Sequence, residues 1–357
     1  MKTQTLHNQL VEWRHDLHMH PQISFEEEYA SNKVSTLLKE FGIEVHEGIA
    51  RTGVVGVLKK GNSAKSIGIR ADMDALPIEE TTNLTYSSKT PGNMHACGHD
   101  GHCTMLLGAA QHLAETRNID GTVYFVFQPA EEGGCGGEAM IKDGLFDKFQ
   151  MRSIWGMHNW PGMDVGKVGV HDGACMAAAD MFEIYLTGIG GHAAMPDTGI
   201  DPIPCGAALV QSLQTIVSRR IPPLQSAVVS VTIFEAGSAL NVIPDTVRLG
   251  GTARSFSPEI RLLLQKAIQD VAESTAKAYG CKIAFEWKPG YPPTINHAES
   301  AARATAIASH IVGADNIIAN PEPSMGAEDF SFMLAAKPGA YIWLLSLIHI
   351  SEPTRPY

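Results

Sequence analysis

Residues 95–102 read HACGHDGH, which packs three histidines, a cysteine and an aspartate into eight positions. Thiolate, imidazole and carboxylate are the donors that hold zinc and related divalent ions. Cys97 and His99 stand two apart, so in an extended segment both project to one side. On this segment alone three readings stay open: a metal site, a redox or nucleophilic thiol, and a polar loop capping a helix. The run GTVYFVFQPAEE (121–132) ends a strongly apolar strand pattern on Glu131 and Glu132. Sites of open α/β sheets gather at the C-terminal ends of strands. Adjacent carboxylates there can divide labour, one holding a metal and the other moving protons. A solvated glutamate pair in a turn is the plainer alternative, although GGCGG follows at once. SIWGMHNWP (153–161) puts His158 at the end of another strand pattern, and in RADMDALP (70–77) the apolar SIGI runs into Asp72 and Asp74. Such carboxylates can take the second N–H of a metal-ligating histidine, or form an Asx turn before Pro77. DLHMHP (16–21) is a competing histidine cluster, read as a helix-ending turn in which His18 and His20 are structural.

The elements that must position these residues alternate between helical and strand periodicity. Helices are expected over 4–18, 26–42 and 99–115, and strands over 52–59, 66–74, 121–132 and 153–161. That alternation is the pattern of an α/β sheet. Near residue 175 the rhythm changes. Strand 181–188, helix 201–220, strands 226–237 and 245–256, helix 257–280 and strand 281–290 follow in order. The sequence β-α-β-β-α-β is the ferredoxin-like unit, inserted into the first domain because α/β patterning resumes after 291. The expected division is 1–174 with 286–343, an insert at 175–285, and a non-native tail at 344–357.

The chain of 357 residues is long for one core, and its net charge of -11 is the wrong sign for nucleic acid. Its cysteines, Cys97, Cys103, Cys135, Cys175, Cys205 and Cys281, form no CxxC pair and no compact framework. That distribution fits a reducing compartment. The N-terminus has no apolar core of a signal peptide, and no run is long and apolar enough for a membrane span. A cytoplasmic protein without nucleic-acid or membrane partners is expected.

Eight segments carry a family resemblance when taken together. RADMDALP, MHACGHDGH, FQPAEEG, GMHNWP, GGHAAMPDTGIDPI, NVIPD, GTARSF and GAEDFS resemble, in that order, the M20 family of metal-dependent amidohydrolases. The nearest branch holds hippurate hydrolases, N-acyl-amino-acid amidohydrolases and auxin-conjugate hydrolases. The resemblance implies an α/β protein of two domains: a mixed-sheet di-metal hydrolase domain and an inserted ferredoxin-like lid and dimerisation domain. It implies two divalent ions (Zn, Mn, Co or Ni) held by Cys97, His99, Glu132 and His158, with Glu131 as general acid/base. Asp74 and Asp72 would stand behind the ligands, and His95 and His102 drop out as neighbours. In the insert, His192 would reach the scissile carbonyl, and Asn241 and Arg254 would bind the substrate's carboxylate. A surface salt bridge is the competing role for Arg254. The implied reaction is hydrolysis of N-acyl amino acids to a carboxylic acid and an amino acid, in a homodimer formed through the lid.

One departure from the family pattern concerns a fifth ligand, a histidine beyond GAYIWL (339–344). The chain instead continues LSLIHISEPTRPY, where His349 lacks the expected neighbours and is not assigned as a ligand. A metal-binding, dimerising pseudoenzyme and a dipeptidase of the same fold are the alternatives this leaves. A thiol enzyme with Cys97 as nucleophile and His99 as base would leave the paired glutamates without a role.

Overall fold

The computed structural model describes residues 2–345, so His349 and the expected tail beyond 345 lie outside the described residues. The chain divides into two compact units. Of the described residues, one comprises 2–175, 295–322 and 329–345, and the other 176–294 and 323–328.

The first unit is built on a mixed sheet of eight strands. At its centre Gly121–Gln128, Ser66–Asp72, Ile154–Asn159 and Gly339–Leu344 lie side by side and parallel. Glu44–Ile49 and Gly53–Lys60 extend one edge antiparallel. The central strands are nearly continuous in apolar residues because both faces are covered. Phe125, Val126, Phe127, Val54 and Val55 have no exposed surface. On one face the helices Lys2–Met19, Glu28–Glu40 and His99–Thr116 pack Trp13, Leu17, Val34, Leu38 and Leu107 against the sheet. Parallel alignment has a chemical consequence: Asp72, Gln128 and Asn159 all end their strands at the same edge. The segments that continue from there, 73–77, 129–137 and 160–163, must emerge together.

The second unit has the element order β-α-β-β-α-β. Its sheet runs Ala227–Ala236, Thr246–Ser255, Ala178–Thr187, Lys282–Lys288, all antiparallel, with helices Pro202–Arg220 and Pro258–Ala278. This is the ferredoxin-like arrangement. Phe182, Ile184 and Leu186 alternate inward from the central strand onto Leu209, Leu213, Leu264 and Ile268 of the two helices. A boundary at 285 would cut the strand Lys282–Lys288, which pairs along its whole length with 181–187, and the unit accordingly continues to Thr294.

Both of its helices open with proline behind a side-chain cap. Asp201 accepts from the Ile203 N–H at 2.9 Å, and Ser257 accepts from the Ile260 N–H at 3.2 Å. Asp201→Ala is expected to cost about 1 kcal/mol of stability, read as a lower urea midpoint with unchanged slope. An unchanged midpoint would show that the cap does not hold this helix.

Candidate metal centre

The segments that leave the shared sheet edge converge on one buried cluster. His99 begins the helix His99–Thr116, and Gly98 before it adopts φ +94, a left-handed conformation that glycine takes without strain. Cys97 and His99 therefore meet through a glycine turn and not, as the spacing suggested, along an extended segment. The Cys97 Sγ lies 3.4 Å from His158 Nε2. Donor atoms of Cys97, His99 and His158 lie within 4.8 Å of one another, as do those of His99, Glu131 and Glu132. Five of the residues singled out in the sequence thus come together, with His99 common to both groups.

Hydrogen bonding fixes which ring nitrogens face the cluster. His99 Nδ1–H donates to the Asp74 carbonyl at 2.8 Å, with an Asp74 carboxylate oxygen 3.3 Å away. His158 Nδ1–H donates to the Asn159 carbonyl at 2.6 Å. Both imidazoles therefore turn Nε2 inward, His158 as a neutral lone-pair donor, while the Asp72 carboxylate 3.6 Å from His99 Nε2 holds the His99 ring well above the usual imidazole range against its burial. His99 Nε2 and Glu132 Oε1 are buried without a hydrogen-bond partner. A buried polar atom left this way costs free energy unless something pairs with it. With Cys97 Sγ and His158 Nε2 beside them, these two atoms make a donor set of mixed S, N and O chemistry that fits a divalent cation.

The electrostatics point the same way. Desolvation pushes the Cys97 thiol up to about 11. A reactive thiol needs its pKa lowered, so Cys97 has no nucleophile's environment here. Burial also raises the Glu132 carboxyl, with Asp74 and Asp72 adding to it against His99. Burial holds His158 well below the usual imidazole range, so its ring is neutral. The neutral His158 ring is already in its ligating form, whereas burial disfavours the Cys97 thiolate and the Glu132 carboxylate, which a cation placed between them would favour.

Asp74 bridges the site: one oxygen faces His99 and the other accepts the Glu132 N–H at 2.8 Å and the Ser24 hydroxyl at 3.0 Å. Asp72 is fully buried, paired to Arg70 Nη1 at 2.7 Å, and accepts from His102 Nδ1–H at 2.6 Å. His102 is therefore not the bystander the sequence reading made it. It lies one helical turn beyond His99, a spacing that puts both on one face. Other residues were not foreseen. Glu27, with no exposed surface, accepts the Ala130 N–H at 2.8 Å and the Thr52 hydroxyl, and holds Ala130 at φ +53 directly before Glu131. Asp100 binds Arg14 Nε at 3.1 Å and His18 Nδ1 at 2.9 Å, which fastens the first helix to the His99 helix. No spacing in the sequence pairs residues this far apart.

The remaining residues of interest belong to the second unit. His192 is exposed on Gly191–His192, which pairs with Val242–Ile243, so Asn241 lies beside it and accepts the Ala193 N–H at 3.1 Å. Arg254 donates to the Thr252 hydroxyl at 3.2 Å. Asp180 takes its two-pronged contact from Arg261, at 2.6 and 2.8 Å.

The model of peptidase family M20/M25/M40 matches residues 68–354. The hippurate hydrolase of Campylobacter jejuni is 45% identical over 331 residues, 93% of this chain and 86% of that protein. An N-acetylcysteine deacetylase of Bacillus subtilis is 40% identical over 96% of this chain and 90% of its own length. Among solved structures, the Bacillus subtilis YXEP protein, described as a dinuclear metal-binding peptidase of the M20 family, superposes with a TM-score of 0.85. It is 36% identical, over 96% of this chain and 89% of that one.

A Cβ at residue 98 would stand 2.7 Å from the Asn159 side chain. Gly98→Ala is expected to cost more than about 1 kcal/mol, from left-handed strain plus that clash. Equilibrium unfolding in urea reads it, and a variant as stable as the parent would contradict the turn described.

Proposed function

Because the chain belongs to peptidase family M20/M25/M40, we propose that it is a metal-dependent amidohydrolase acting on N-acyl amino acids. The products are a carboxylic acid and a free amino acid. One observation carries this reading: the buried, partnerless His99 Nε2 and Glu132 Oε1 share a cluster with the Cys97 thiol, the His158 ring and the Glu131 carboxylate. The dinuclear description of the YXEP protein supports a pair of divalent ions (Zn, Mn, Co or Ni).

In this reading Cys97, His99, Glu132 and His158 hold the metal, and Asp74 keeps His99 and Glu132 aimed at it. Bound metal supplies Lewis acidity toward the amide carbonyl and lowers the pKa of water. Glu131, 6% exposed, takes the proton from the attacking water and returns it to the leaving amine. His192 donates toward the carbonyl oxygen as charge develops there, and Asn241 and Arg254 bind the substrate carboxylate. The second unit serves as lid and as the homodimer surface. The two relatives act, by name, on hippurate and on N-acetylcysteine, so acyl groups from acetyl to benzoyl belong to the substrate class. The location proposed is the cytoplasm, on the six cysteines that form no disulfide framework. Among the described residues no helix is long and apolar enough to cross a membrane.

Hydrolysis of hippurate and N-acetylcysteine is expected to stop when a chelator strips the protein and to return with added divalent metal. Turnover that survives chelation but is lost on thiol alkylation would instead make Cys97 the nucleophile. Asp74→Asn is expected to weaken metal affinity about 10- to 100-fold in a competition titration, since an amide keeps one acceptor oxygen where the carboxylate serves His99 with one and the Glu132 N–H with the other. Unchanged affinity would sever Asp74 from the metal.

A further inference from the structure

The GAEDFS segment contributes a residue to this cluster that the reading above does not use. The Asp329 backbone N–H donates to Glu131 Oε1 at 3.3 Å. Its carboxylate, with no exposed surface, accepts from Arg70 Nη2 at 3.0 Å, from Gln128 Nε2 at 2.7 and 2.8 Å, and from the Gly137 N–H at 2.7 Å. Gln128 ends the strand before the QPAEE loop and Gly137 lies in the helix Gly136–Lys142 that follows it. One carboxylate therefore ties both flanks of the loop, while the N–H of the same residue meets the carboxylate midway along it.

Arg70 keys this arrangement from the neighbouring strand. Its Nε donates to Gln128 Oε1 at 2.8 Å, its Nη1 to Asp72 at 2.7 Å, and its guanidinium lies 5.6 Å from the Phe330 ring centroid. A buried ion pair is weak grounds for stability, because desolvating both charges offsets most of their attraction. Its use is geometric when every polar atom is satisfied and the pair specifies one arrangement. We infer that Asp329, keyed by Arg70, is a positioning residue that fixes the Glu131 carboxylate by clamping both ends of its loop. This rests on Glu131 being the proton carrier proposed above.

Three donors aim at the Asp329 carboxylate, two on each oxygen with Gln128 shared, so an asparagine would present an N–H₂ to Gln128 and to either Arg70 or the Gly137 N–H. In Asp329→Asn the Glu131 carboxylate is expected to leave its contact with residue 329, or to lose order, in a crystal structure of the variant. With metal loaded, kcat should fall about 10²-fold, the scale of a 1 Å misplacement, while KM and metal stoichiometry hold. Arg70→Lys, which keeps the charge but not the fork, should show the same split with a smaller loss and guards against a variant that fails to fold. Glu131 in its original place with kcat within twofold of the parent would overturn the inference. So would loss of metal and a raised KM alongside kcat, which would put Asp329 in service of the ligands or the fold. Should the parent protein hydrolyse no N-acyl amino acid, the proposed function fails, and the Glu131 position in the variant crystal still decides this inference.

Discussion

A single carboxylate, that of Asp74, brings the cluster together. Its two oxygens face His99 Nδ1 and the Glu132 N–H, and its own carbonyl takes the His99 proton. That settles the imidazole tautomer, turns His99 Nε2 inward and sets where the glutamate loop leaves the sheet. Burial alone would raise this carboxyl, yet the bonds to His99 and Glu132 hold it below the usual range. It stays an acceptor because what it accepts is built into the fold.

The wider architecture serves the same end. Three adjacent parallel strands deliver Asp72, the QPAEE loop and His158 to one edge, and the helix that starts at His99 closes the group. The loop is short of regular hydrogen bonding, and buried carboxylates make up the deficit. Glu27 takes the Ala130 N–H, Asp74 that of Glu132 and Asp329 that of Gly137. Each comes from a different stretch of chain, so the loop cannot shift without breaking contacts to separate parts of the unit. Such supporting contacts give a site its precision.

Much of this was legible in the sequence, for local reasons. Periodicity locates the principal helices, with 257–280 observed as Pro258–Ala278, and the β-α-β-β-α-β order gives the second unit its topology. Glu131, Glu132 and His158 stand out by residue type where apolar strands end, and Cys97 and His99 by their clustering where a helix begins; their joint role is what the family resemblance implies. What stayed hidden depends on contacts between distant segments. Glu27 reads as one of three consecutive glutamates, and Arg70 as a charge in a strand; only packing shows both fully enclosed. The Cys97–His99 geometry escapes a reading by extended spacing, because Gly98 between them takes the left-handed turn. Nothing near His102 in the sequence marks its partner, since His102 is on a helix and Asp72 ends a strand thirty residues earlier.

The central claim is that Glu131 moves protons while its neighbours hold metal. Glu131→Gln, measured for bound metal and for turnover of an N-acyl amino acid in the same preparation, separates those roles most directly. The account predicts metal stoichiometry equal to the parent and turnover reduced by about 10²-fold or more, the scale of a lost general acid/base. A variant that turns over like the parent, or that loses its metal along with activity, would contradict it.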